Sequence, residues 1–335
     1  MATRRNIFVL SGGGSRGAGQ VGMLRALWAA GVRPDVLIGG SVGAINACFL
    51  GSHPSAEGIE QLAAKWLEMS EETLCGRRRG VVLNVARRRP YLFSADRFRR
   101  LVSDWVPTYH LENLAIPVRV ATTDIATGRA VHHDHGYIPD LVAASAALPA
   151  IFPPVVLRGP DGPGIHVDAG VAENVPLSGA LSIAEPGDRI WVLDVTRAGA
   201  TRSLRNPLDV LIASLVASVR NRQEPQFPAG AEIVRCKLDE SYDCGTVFDF
   251  SHTDELIRLG EEAASAALES VASLPGLKAV LIDERNHFVT APQHALGGIE
   301  AEGSVRVRRE HVAQRGRVRQ QSGPARTHRC RARSV

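Results

Sequence analysis

Val36-Leu37-Ile38-Gly39-Gly40-Ser41-Val42-Gly43-Ala44-Ile45-Asn46-Ala47 is the stretch on which the fold turns. Val36 to Ile38 is an apolar run of strand length, Gly39 to Gly43 a tight turn, and Ala44 to Leu50 a helix of small residues packed close behind it. The turn contains a Gly-x-Ser-x-Gly, and its place between strand and helix is the setting in which a strained turn pushes a serine hydroxyl outward. Side chains at Gly39 and Gly43 would collide with the neighbouring strand and helix. A packed glycine turn without chemistry has the same spelling, so the motif needs support from elsewhere.

Upstream, Asn6 to Ser11 reads as a strand, Gly12-Gly13-Gly14-Ser15-Arg16-Gly17 as a loop, and Ala18 to Ala30 as a helix with Val21, Leu24, Leu27 and Trp28 on one face. Backbone N–H groups of such a loop point at an anion. The spelling fits a dinucleotide loop, but the next strand ends in Gly39-Gly40-Ser41 where an acid would hold the ribose, and Asp35 lies before that strand. Arg16-Gly17 stands where a phosphate-binding loop has Lys-Ser/Thr. For acyl chemistry the loop would instead supply donors to the oxygen that becomes negative as serine attacks. If the two strands are parallel neighbours, loop and serine share one sheet edge. Arg16 is then either a source of positive potential or a helix-surface residue.

Downstream, helices are expected at Ser55–Met69, Ile138–Ala147, after Pro176, at Pro207–Val219 and at Asp254–Ser273. Strands are expected at Pro117–Ile125, Arg129–His133, Ile165–Val167, Arg189–Val195 and Ala231–Leu238. This alternation predicts an α/β fold, a mostly parallel sheet with helices on both faces. Arg77 to Arg100 holds nine arginines against one acid, Asp96, and reads as an exposed insertion.

The 335 residues, 44% hydrophobic and 5% aromatic, suit packed α/β layers. Residues 304–335 hold ten arginines against Glu310, a local +9 that leaves about −5 for the rest of a chain whose total is +4. That tail has no apolar period and reads as disordered. Five cysteines without paired spacing suggest neither a disulfide framework nor zinc, and so a reducing compartment. Arg4 and Arg5 precede only four apolar residues before the glycines, too few for a signal peptide, and Leu141–Leu157 is interrupted by prolines. A cytoplasmic location, with peripheral membrane contact, is the expectation.

The serine needs a base. His132, His133 and His135 form a polar cluster that reads as a solvated turn more readily than a metal site, and His252, His287 and His294 have no recognisable setting. Asp168, in His166-Val167-Asp168-Ala169-Gly170, follows a short apolar strand at a small-residue turn, where a carboxylate is partly desolvated and its basicity raised. A helix cap explains the same aspartate.

Taken together, four blocks resemble the patatin-like phospholipase family in its order. They are Leu10 to Gly17, Gly39 to Ala47, Ala144-Ser145-Ala146-Ala147-Leu148-Pro149-Ala150-Ile151-Phe152-Pro153-Pro154-Val155, and Asp168 to Pro176. The resemblance implies a three-layer α/β/α patatin-like fold over residues 1–275, including the arginine-rich segment near 70–100, followed by a basic extension over 276–335. It implies a Ser–Asp dyad in which Ser41 attacks and Asp168 activates, with Gly39 and Gly43 shaping the elbow. Gly12, Gly13, Gly14 and Gly17 form the oxyanion loop, with N–H groups from Gly13 and Gly14 and support from Arg16. Ala169, where the family commonly has glycine, and Gly170 complete the aspartate turn. An acyl-serine intermediate released by water follows, acting on fatty acyl esters, with no cofactor and no metal. Alternatives are acyl transfer to an alcohol through the same dyad, a silent lipid-binding protein, and an arginine-driven nucleic-acid binder, although no specific nucleic-acid binding is expected. Contact with anionic membrane through Arg77–Arg100 or the tail is a further expectation.

Overall fold

A computed structural model describes residues 4–76, 84, 86–159, 162–196, 230–239 and 242–273, with scattered positions from 210 to 218. The reading of 276–335 as an extension and the proposed helix over 207–219 lie outside these residues or mostly so.

The strands are β1 (Asn6–Leu10), β2 (Val36–Gly40), β3 (Val118–Asp124), β4 (Ala130–His133), β5 (Val155–Gly159), β6 (Gly162–Val167), β7 (Arg189–Asp194) and β8 (Glu232–Lys237). They form one sheet in the order β5-β6-β3-β2-β1-β7-β8, with β4 paired to β3 off this path. The run β3-β2-β1-β7-β8 is parallel. The β4–β3, β6–β3 and β5–β6 pairings are antiparallel and gathered at one side, so the sheet is mostly parallel, as expected, from β3 to the β8 edge. Strand β5 was not anticipated, because prolines 153 and 154 made its approach look like loop.

The central strands are buried on both faces and therefore read as continuous apolar runs. Phe8, Leu10, Leu37, Trp191 and Leu193 face one cluster with α1 (Ala18–Ala29), α2 (Val42–Ser52), α3 (Ala56–Leu67) and, at the C-terminal side, the helix Thr253–Ala272. Ile7, Val9, Ile38, Ile190 and Val192 face the other, covered among the described residues by Leu177 and Ala180 and the segments around them. Each fully buried aliphatic side chain contributes about 1.5–3 kcal/mol of transfer free energy.

The remaining helices are α4 (Glu71–Cys75), α5 (Asp96–Trp105), α6 (Ile138–Ser145), α7 (Ala169–Ala172), α8 (Leu177–Leu181) and α9 (Thr253–Ala272). Helix α5 corrects the view of the arginine-rich stretch as a wholly exposed insertion. Its Phe98, Leu101, Val102 and Trp105 are buried, and Phe98 stacks on Phe152, so Arg97, Arg99 and Arg100 sit on the polar side of an amphipathic core helix. Helices α1 and α9 pack at unusually close range, since a Cβ on Gly22 would overlap the Ile257 carbonyl and one on Gly260 the Gly19 carbonyl. The four described cysteines are buried and free.

Candidate active site

Strand β2 runs into Ser41, which adopts φ 52° and ψ −123°, and α2 begins at the next residue. A non-glycine residue there carries strain of order 1–3 kcal/mol that the surroundings must hold. A Cβ on Gly39 would overlap the Gly43 carbonyl, and one on Gly43 the Leu10 carbonyl, so the elbow closes only with glycine at both places.

The partner of Ser41 is fixed by sheet topology. Val120 and Ala121 of β3 pair with β2 along one edge and with β4 along the other. Thr123 pairs with Ala130 of β4 and with Val167 of β6. Strand β6 therefore takes the β2 edge of β3 just beyond the point where β2 stops, and the residue after Val167 meets the residue after Gly40. Ser41 Oγ donates to Asp168 Oδ2 at 2.9 Å.

Asp168 is buried, and its other oxygen accepts the Gly170 N–H at 2.7 Å. It is thus also the cap of α7, and the two readings of this aspartate describe one side chain. Burial pushes its pKa up to about 6, against the opposing pull of the hydrogen bonds from Gly170 and Ser41. A carboxylate with that pKa, in contact with a hydroxyl, can take a proton near neutrality.

The turn that ends α6 holds the main chain of both residues. Ser145 Oγ accepts the Ser41 N–H at 2.8 Å while donating to the Ala121 carbonyl at 2.6 Å. Two residues on, the Ala147 carbonyl accepts the Asp168 N–H at 3.0 Å. From the other side Thr123 Oγ1 donates to the Asp168 carbonyl at 2.8 Å and accepts the Ala172 N–H at 3.0 Å.

The glycine loop lies against the serine, with a Cβ on Gly12 reaching within 3.2 Å of Ser41 Cβ. Gly12 N–H is taken by the Asn174 carbonyl and Ser15 N–H by that of Val247, whereas Gly13 and Gly14 N–H have no partner among the described residues. Gly14 has φ +60° and abuts the Val247 carbonyl, and Gly17 is pressed between Val42 and Trp66. Arg16 is no helix-surface residue. It is buried, and its guanidinium donates to the carbonyls of Val195, Tyr242 and Asp239. It staples the segment after β8 to the glycine loop.

A buried amide network joins these parts. Asn46 donates to the Gly17 carbonyl and to Gln20, Trp66 donates to Asn46, and Gln20 donates to the carbonyls of Ser11 and Leu193. Sequence reasoning assigned no role to Gln20, Asn46, Thr123 or Ser145. The available signal was a polar residue inside an otherwise apolar run, which must find a partner when buried.

Among the described residues no histidine shares a hydrogen bond with Ser41, whose N–H and hydroxyl are bonded to Ser145 and Asp168, and His287 and His294 lie outside these residues. His133 Nε2 and His166 Nδ1 share Thr122 Oγ1 at 2.8 and 2.9 Å, and His132 Nε2 meets Ser178 Oγ at 2.8 Å. Burial pushes His132 and His133 down to about 4, so the expected solvated turn is for these two a partly buried, neutral pair. Among the described residues no group of three His, Cys, Asp or Glu is arranged to hold a metal. An open groove of about 450 Å³ lies between Met69–Glu71 and Thr246–Ser251, beside Val247, and does not include Ser41.

The class that fold and site define is an α/β protein built around an elbow serine and a buried carboxylate. Residues 8–181, just over half of the 335, match the family model for patatin-like phospholipase. The chain is 30% identical over 175 residues to patatin-like phospholipase domain-containing protein 7 of Rattus norvegicus, covering 52% of this chain and 12% of that one. It is 29% identical over 168 residues to neuropathy target esterase sws of Drosophila melanogaster, covering 50% and 11%. The match thus takes in only a small part of these much longer relatives. Among solved structures, human GIVD cytosolic phospholipase A2 aligns with a TM-score of 0.48 at 13% identity over 80% of this chain and 59% of that one. VipD from Legionella pneumophila aligns with a TM-score of 0.43 at 15% identity over 80% and 67%. This chain belongs to the patatin-like phospholipase family.

Proposed function

We propose that this protein is a lipid acyl hydrolase that cleaves fatty acyl esters through an acyl-serine intermediate, with Ser41 as nucleophile and Asp168 as base. The observation that carries the reading is the 2.9 Å hydrogen bond from Ser41 Oγ to the buried Asp168 carboxylate. Family membership supports the substrate class, since the matched relatives are named as a phospholipase-domain protein and an esterase.

In the first step Ser41 Oγ attacks the ester carbonyl carbon as its proton passes to Asp168 Oδ2. The oxygen that becomes negative is received by the unpaired N–H groups of Gly13 and Gly14, with the N-terminus of α2 adding positive potential; each such donor is worth about 3 kcal/mol of barrier. The new Asp168 proton is delivered to the departing alkoxide, leaving an acyl ester on Ser41. Water then attacks this ester, Asp168 takes the water proton, and the fatty acid leaves as Oγ recovers its hydrogen. Arg16 acts from behind the loop, holding main-chain carbonyls around it.

Release of p-nitrophenol from short and long acyl esters, compared between wild type, Ser41→Ala and Asp168→Asn, tests the reading. Loss in both variants with circular dichroism unchanged supports it. Equal rates in all three would sink it, as would none in any across both chain lengths. The soluble alcohol acceptor that distinguishes transfer from hydrolysis is added in the same assay, and ester formation in place of free acid would redirect the reading to an acyltransferase.

A further inference from the structure

We propose that the outer face of the β5–β6 hairpin, with the turn after β3, is the surface by which this protein docks its catalytic edge on an anionic lipid bilayer. The inference rests on the lipid reading above and concerns residues other than the arginine-rich segment and the C-terminal tail.

Strand β6 runs antiparallel to β3 and pairs with it only at Thr123 and Asp124. Residues 162–165 therefore extend beyond the end of β3, on the same edge at which β2 delivers Ser41. A strand rises about 3.3 Å per residue, so Ile165 stands roughly 10 Å along the chain from Asp168.

The hairpin departs from the usual alternation on one face. Its inward positions Val155, Leu157 and His166, the cross-strand partner of Val155, are buried, as expected, and its outward positions beyond the end of β3 should then be polar. Instead Val156 and Ile165, direct cross-strand partners, are 65% and 49% exposed. Ile125, whose N–H bonds the Ile165 carbonyl at 3.0 Å, is 56% exposed beside them. Three contiguous β-branched apolar side chains in water, next to a catalytic site, mark a binding surface.

Charge selects the partner. Arg158, on the outward side of β5, and Arg129, in the turn that begins with Ile125, are exposed and have no ion pair or hydrogen bond from their side chains among the described residues. The nearby Asp124 has one carboxylate oxygen engaged by the N–H groups of Ala126 and Thr127. Apolar side chains flanked by unpaired arginines match the boundary of an anionic bilayer, where the first enter the acyl region and the second meet headgroups. Residues 160–161, Asp161 among them, lie outside the described residues.

The test is co-sedimentation of full-length Ser41→Ala protein, which leaves the lipid intact, with phosphatidylcholine vesicles with and without phosphatidylserine. Changing Val156 and Ile165 both to Asp is expected to lower partitioning about tenfold or more on either vesicle. Arg129→Gln with Arg158→Gln is expected to lower it about tenfold only where phosphatidylserine is present. Placed in the Ser41 protein, the same pairs should leave hydrolysis of water-soluble p-nitrophenyl butyrate unchanged. Val156→Ser with Ile165→Ser repeats the first comparison if the Asp pair fails to fold by circular dichroism. Absence of vesicle binding by the parent, or binding indifferent to all four changes, overturns the proposal. So does a lipid-free dimer that the apolar pair dissociates, which would assign the face to a second copy. If no variant cleaves the soluble ester while the vesicle contrast stands, the hydrolase reading fails and the docking surface survives.

Discussion

Asp168 carries two opposed demands in one side chain, because the burial that makes it basic also makes its charge costly. Its folded pKa of about 6 lies above the ordinary carboxylate value of 3.8, so the folded state binds more protons than the unfolded one between those values. Stability contributed by this group is therefore lost as pH rises from about 4 to about 6 and stays absent above. In the proposed mechanism activity moves the other way, since there only the carboxylate accepts the Ser41 proton. We expect kcat/KM on a soluble ester to fall about tenfold per pH unit below about 6 and to level off above it, which a pH–rate profile checks. Asp168→Asn should abolish turnover yet raise resistance to urea at pH 8 by an amount of order 1–3 kcal/mol; a variant less stable than wild type would show that the charge is better solvated than its burial implies. Ser145 makes a different prediction. Ser145→Ala leaves the strained Ser41 without a partner for its N–H, at a cost of about 1–3 kcal/mol. If Ser41 is the nucleophile, its misplacement should lower kcat at least tenfold while KM stays within about twofold, because Ser145 is fully buried.

At the scale of elements, the site is held by short contacts between backbones. Glycines at 39 and 43 let β1, β2 and α2 converge, while Gly22 and Gly260 let α1 and α9 close on each other. Gly22→Ala would gain helix propensity on an isolated helix, about 1 kcal/mol. In the protein its Cβ would fall on the Ile257 carbonyl, which is backbone and cannot rotate away. We expect net destabilisation of about 1–3 kcal/mol by denaturant melts, with ester turnover falling only as far as folded protein is lost. A neutral or stabilised Gly22→Ala protein would mean that α9 shifts freely on α1, contrary to the packing described.

Across the whole molecule, acid acts on more than Asp168. His132 and His133 are pushed down to about 4 chiefly by burial, from an ordinary 6.5, so the unfolded state binds more protons than the folded one between those values. Their contribution is present above about 6.5 and lost as pH falls toward 4, the opposite sign to Asp168. With two such histidines, and His166 lowered by burial as well, the melting temperature should fall between pH 7 and pH 5. His132→Gln combined with His133→Gln should flatten that dependence in calorimetric scans, and an unchanged slope would place the acid-sensitive groups elsewhere. No helix among the described residues is long and apolar enough to cross a membrane.

The four motif blocks, most strands and helices and the Ser41 and Asp168 positions were legible in the sequence because they rest on local rules: glycine at a turn, small residues behind it, apolar runs of strand length, an acid at a helix start. The pairing of Ser41 with Asp168, 127 residues apart, was not local. It came from β6 taking the edge of β3 that β2 vacates, a matter of sheet order that no spacing encodes. Arg16 illustrates the same division. Its place in the glycine loop is written in the chain, yet whether its guanidinium faces solvent or three carbonyls depended on where residues 195, 239 and 242 return to meet it. Likewise the arginine count predicted exposure for 77–100, while the period of Phe98, Leu101, Val102 and Trp105 turned α5 onto the core. Sequence set the local conformations and the chemical groups; the tertiary structure alone chose their partners, because burial and hydrogen bonding depend on neighbours that only the folded sheet brings together.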